Sequence, residues 1–174
     1  MRAKPLIAIL ALACAAAAPG HLRAADAPEI QRAPGAPQSV NSPHTLRQIP
    51  EACARLEGMF TGSAAAPYKF AVVRTSPNCQ PRARFVDFAK AKPSAAGGWK
   101  YNDLIQVPSA ACPSQKAMVR VWRKPADVAP PKLDAQGRSR LYLKEMQAAA
   151  KQGGYQALPM YAAEMKLEGK ACGG

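Results

Sequence analysis

The stretch Lys116-Ala117-Met118-Val119-Arg120-Val121-Trp122-Arg123 changes character at every second residue. A period of two marks a β-strand, whose successive side chains point to opposite faces. Ala117, Val119 and Val121 share one face, small and apolar, suited to a core. Met118, Arg120, Trp122 and Lys124 share the other.

Upstream of this strand, residues 53–60, 68–74, 82–88 and 99–107 alternate in the same way. Each is bounded by Pro, Gly, Ser or Asn, as strands are. Downstream, Pro125, Pro130 and Pro131 make 124–137 an irregular connection. Leu143, Met146 and Ala150 then recur at helical spacing. Ser139 can cap a helix over 140–152, and Gly153-Gly154 stops it. Residues 159–168 are a last, weaker strand. Strands followed by a helix point to an α+β fold. The expectation is a small antiparallel sheet of about five or six strands, with one C-terminal helix packed on it. The alternative is a small β-barrel or sandwich, which the short strand spacing also suits.

The N-terminus reads as an export signal. Arg2 and Lys4 precede thirteen uninterrupted apolar residues, Leu6 to Ala18. That is shorter than the ~20 a membrane span requires and within the ~7–15 of a signal core. The signal is assigned to about residues 1–25, with Leu22-Arg23-Ala24 offering a cut before Ala25. Cys14 raises lipid attachment, but its Leu12 stands one place from the usual position. Residues 26–48 hold Pro28, Pro34, Gly35, Pro37 and Pro43 without apolar periodicity, which reads as a flexible leader. Residues 49–174 form one globular domain. The expected location is periplasmic or secreted.

Cleavage leaves Cys53, Cys79, Cys112 and Cys172, an even set that reads as a disulfide framework in an exported chain. An up-and-down meander brings Cys79 and Cys112 to one end of the sheet, each in a turn beside proline. That pairs Cys79 with Cys112 and leaves Cys53 for Cys172. No Cys-x-x-Cys occurs, and the single remaining histidine, His44, lies in the leader. Neither a metal site nor a cofactor is expected.

Of the 24 Lys and Arg, Arg2, Lys4 and Arg23 leave with the signal. The remaining 21 face 11 Asp and Glu, a net charge of about +10. Such an excess attracts anions. On the strand at 116–123, Trp122 stands between Arg120 and Lys124, so a ring can stack while cations hold acidic groups. Arg82 and Arg84 share a face in the same manner, and Lys100 lies between Trp99 and Tyr101. The competing reading is that the helix covers Trp122 and the cations only rim it.

Catalytic motifs are missing: there is no G-x-S-x-G, S-x-x-K, H-E-x-x-H or P-loop. Glu57, Asp87 and Asp103 are the carboxylates within strand stretches that a hydrolase can pair. The reading is therefore a non-enzymatic, exported binding module for an anionic envelope polymer or lipid surface, with Arg82, Arg84, Lys100, Arg120, Trp122 and Lys124 as binding residues. One alternative is a partner of an acidic protein, as an inhibitor or accessory subunit of an envelope complex. The other is a hydrolase using a carboxylate pair. Export has a direct check. N-terminal sequencing of protein from an extracytoplasmic fraction is expected to start between Ala18 and Asp26; an intact Met1, or lipid on Cys14, contradicts it.

Overall fold

The computed structural model describes residues 27–126, 135–136, 143–152 and 158–172. The signal segment 1–25 and most of the 124–137 connection lie outside them. Strands β4 (Arg84–Phe85), β5 (Lys100–Pro108), β6 (Lys116–Lys124) and β7 (Met160–Glu168) form one sheet in the order β4-β7-β6-β5. Its pairs are antiparallel except β4 with β7, which is parallel. Strands β1 (His44–Ile49), β2 (Ala54–Phe60) and β3 (Tyr68–Arg74) form the other sheet, antiparallel and in chain order; as the earlier in the chain it is the first sheet, and the four-stranded one is the second.

The alternation read from sequence sets which faces are buried. Ala117, Val119 and Val121 of β6 have no exposure at all, and neither has Leu56 of β2. These residues join Ile49, Phe60, Tyr68, Ile105 and Tyr161 in one apolar cluster drawn from both sheets. The single sheet expected is thus two sheets sharing a core. The split arises at 82–88. Only Arg84–Phe85 is strand, because the Asp87 carboxylate accepts a hydrogen bond from the Lys90 amide (2.9 Å) and caps a short helix, α1 (Phe88–Ala91). The helix expected at 140–152 runs as α2 (Leu143–Lys151), and its Met146 is buried. Residues 140–142 lie outside the described set.

The disulfide pairing expected from a continuous meander is corrected. The bridges are Cys53–Cys79 and Cys112–Cys172. β2 and β3 form a hairpin with Ala54 opposite Arg74, so the chain returns to Cys53 just before Cys79. β7 pairs with β6 so that Glu168 lies opposite Lys116, which delivers Cys172 to the β5–β6 turn holding Cys112. Each bridge therefore staples one local return. With sequence separations of 26 and 60, each contributes roughly 3–4 kcal/mol in the chain-entropy account.

The leader is also corrected. Residues 44–48 belong to β1, and the segment before them lies along the outer edge of β5. The amides of Glu29, Ile30, Gly35 and Gln38 donate to the carbonyls of Tyr101, Asn102, Gln106 and Pro108 at 2.8–2.9 Å. Ile30 bridges Asp103 of β5 and Gln38 bridges Ser109 just beyond it, both in parallel, and Val40 then bridges Phe60 of the other sheet. The prolines that suggested a spacer favour this conformation. Proline and the residue before it prefer extended backbone. Pro28, Pro34 and Pro37 each fall just before a residue that donates, so none removes a needed amide.

Charges hold the leader in place. Glu29 accepts hydrogen bonds from Arg123 (2.6 and 3.1 Å) and Asn102 (2.8 Å), and Arg123 beside it lowers its carboxyl pKa. Arg32 donates to both oxygens of Asp103 at 3.0 and 2.9 Å. The Asp103 side chain has no exposure, and Arg47 of β1 places Nη1 3.1 Å from the same carboxylate. No Nη1 N–H is aligned with a hydrogen-bond acceptor, so this contact is one of charge. Asp103 thus joins the leader, β5 and β1. Removing one member of a buried ion pair costs about 3–5 kcal/mol, whereas an exposed pair is worth ~0–1 kcal/mol. Urea unfolding of Asp103→Asn is therefore expected to show a loss near 3 kcal/mol. Arg32→Ala, with its side chain 43% exposed, should lose far less. Similar small losses for both would contradict this reading of the cluster.

Candidate anion-binding site

The parallel pairing of β4 with β7 assembles a row of side chains across the second sheet. Arg84 lies opposite Met160, and Met160 lies opposite Lys124. Arg84 and Lys124 are therefore two strand spacings apart, about 10 Å, on either side of a methionine. The α1 turn begins just beyond β4 and carries Lys90 to the same place. Trp99 closes the hollow. It follows a turn in which the Ser94 hydroxyl accepts from the Gly97 amide (3.2 Å) and Gly98 adopts φ +77°, a conformation glycine tolerates without strain. A Cβ on Gly98 would stand 3.6 Å from Lys124 Cε, so the turn runs beside that lysine.

The result is an open hollow of about 580 Å³ whose lining includes Arg84, Phe85, Asp87, Lys90, Trp99, Lys124 and Met160. Trp99 is 7% exposed and forms wall more than surface. Asp87 is occupied in capping α1. Among the described residues, no carboxylate forms an ion pair with Arg84, Lys90 or Lys124. Other cations in the molecule do have such partners: Arg55 donates to Glu57 (2.7 Å), Arg123 to Glu29, and Lys166 lies 3.0 Å from Glu164.

The residues singled out in the sequence divide. Arg84 and Lys124 meet in this hollow. Arg120 stands between Leu104 and Glu164 on neighbouring strands. Trp122 lies across from Tyr101, ring centroids 5.1 Å apart, and its Nε1 is buried with no hydrogen-bond partner. Lys100 is opposite Arg123, close enough to contribute to the lowered Glu29 pKa. Arg82 is exposed, with its amide bonded to the Glu51 carbonyl (2.7 Å). Lys90 is not among the residues singled out in the sequence; its place at the hollow depends on the Asp87 cap. The parallel β4–β7 contact left no local signal.

The carboxylates considered for hydrolysis have separate partners: Glu57 pairs with Arg55, Asp87 caps α1, and Asp103 lies between Arg32 and Arg47. His44 opens β1, and its Nε2 is 2.9 Å from the Tyr68 hydroxyl. That contact passes over Gly58, where a Cβ would meet the hydroxyl at 1.8 Å. Burial raises the Tyr68 pKa above the ordinary phenol value. Among the described residues, no group of three His, Cys, Asp or Glu side chains is placed to hold a metal ion, and no helix is long and apolar enough to cross a membrane. No protein-family model matches this chain, and no curated protein or solved structure is significantly similar to it.

Proposed function

We propose that this protein is an exported, non-enzymatic binding module for an anionic polymer or surface of the cell envelope, and that the hollow between β4, α1 and β6 holds the acidic groups. The observation that carries this reading is the convergence of Arg84, Lys90 and Lys124, none ion-paired to a carboxylate among the described residues, around one aromatic-walled hollow. Its volume falls within the ~300–1,000 Å³ of small-molecule clefts. That admits a short stretch of an acidic polymer or one headgroup. Phe85, Trp99 and Met160 supply apolar contact for a ring or chain, while the cations supply the charge. The net positive charge draws such ligands in from a distance. Two disulfides suit an oxidising compartment outside the cytoplasm.

A matched pair of variants tests the site apart from net charge. One carries Arg84→Ala, Lys90→Ala and Lys124→Ala; the other carries Lys69→Ala, Lys116→Ala and Lys170→Ala, at exposed positions elsewhere. On immobilised heparin and on vesicles containing anionic phospholipid, the first should elute or dissociate at markedly lower salt. Its slope of log affinity against log salt should fall by about one per lost contact. The second should resemble the unaltered protein. Equal losses in both would reduce the effect to overall charge and remove the hollow from the account.

A further inference from the structure

The second sheet protects its long edge: the leader covers β5, and the opposite edge, β4, is only two residues long. β3 has no such cover among the described residues. It pairs with β2 alone, in unbroken register from Tyr68 opposite Phe60 to Arg74 opposite Ala54. The flanking bonds, Thr61 amide to Pro67 carbonyl and Thr75 amide to Cys53 carbonyl, set the phase of the ladder. In an antiparallel pair, hydrogen-bonded and non-hydrogen-bonded residues alternate. The amides and carbonyls of Tyr68, Phe70, Val72 and Arg74 therefore point away from β2. A seven-residue edge without bulge or internal proline is what proteins ordinarily avoid leaving open.

The side chains add a second feature. Along the inward face of β3, burial falls from Tyr68 (6% exposed) to Val72 (41% exposed), the exposed large apolar residue of the described chain. Val72 lines a hollow of about 310 Å³ with Cys53, Ala54, Ala83, Phe85 and Leu143. Arg74 and Arg84 are the charged residues of its lining, and no Asp or Glu contributes to it. Lys69 extends the positive charge along the strand.

We infer that β3 is a docking edge for an extended segment of another protein, with apolar side chains at alternate positions and carboxylates between and beside them. The segment adds to the sheet as a further strand. Its backbone pairs with the outward groups of Phe70, Val72 and Arg74, and one apolar side chain enters the hollow beside Val72. Its carboxylates face Lys69, Arg74 and Arg84. A second copy of this chain, itself strongly basic, offers the wrong charge.

The test uses a short fluorescent peptide alternating glutamate and valine, its counterpart alternating lysine and valine, and the full-length protein. Val72→Pro removes one outward amide without touching the β2 ladder, as proline is tolerated on an edge. Val72→Asp keeps the backbone and places a like charge against the peptide. Melting curves confirm that both variants fold. The glutamate peptide should bind saturably, with both variants and the lysine peptide each weakening binding by about tenfold or more. The Lys90→Ala/Lys124→Ala variant should bind it unchanged, which separates this edge from the anion-binding hollow. No binding, or binding indifferent to Val72→Pro and Val72→Asp, overturns the inference. So does a dimer in sedimentation that Val72→Pro abolishes, which would give the edge to a second copy.

Discussion

A carboxylate with no solvent exposure, Asp103, sits where three separate parts of this chain meet. It lies on β5 in the second sheet, Arg47 comes from β1 in the first, and Arg32 comes from the leader that precedes both. A buried charge persists only where opposite charges and hydrogen bonds replace its water. Asp103 therefore requires the sheets to stand at one spacing and the leader to lie on the β5 edge. Both strands depart from regular pairing beside it, with register shifts at Tyr101/Asp103 and at Thr45/Arg47. Arg47 bears the cost of this burial: desolvation lowers its pKa, and the Asp103 charge works against that shift.

The hollow proposed to bind anions depends on the same frame. With the leader holding one edge of the second sheet, the order β4-β7-β6-β5 places β4 at the other edge. There Arg84 stands in line with Lys124. Charge is distributed accordingly. Arg32, Arg47 and Arg123 are spent on holding the leader and the sheets together, whereas Arg84, Lys90 and Lys124 have no ion-pair partner among the described residues. These described cations thus separate into a group bound to carboxylates of the frame and a group without such partners.

Much of this was legible beforehand. The alternation at 116–123 identified β6 and its buried face, because period two is a local property that sheet pairing preserves. The stretches at 53–60, 68–74 and 99–107 correspond to β2, β3 and β5 for the same reason. What was not legible is non-local. The pairing of β7 with both β6 and β4 links residues far apart in sequence. The disulfide order follows from that pairing, so a meander drawn in chain order connected the wrong cysteines. The leader misled differently: proline-rich sequence is compatible with a free spacer and with an extended edge strand. Only the acceptors on β5 and the ion pairs at Glu29 and Asp103 decide between them. At the site, Arg84 and Lys124 were visible as cations on strand faces, but the contact that joins them was not.

The leader is part of the folded structure, clamped through Asp103. Amide hydrogen exchange addresses this most directly, since exchange reports the opening of individual backbone hydrogen bonds. The amides of Glu29, Ile30, Gly35 and Gln38 are expected to be protected in the native protein. Arg32→Ala is expected to lower their protection while leaving that of Val119 and Val121 in β6 unchanged. Leader amides that exchange at unfolded-chain rates in the unaltered protein would contradict this.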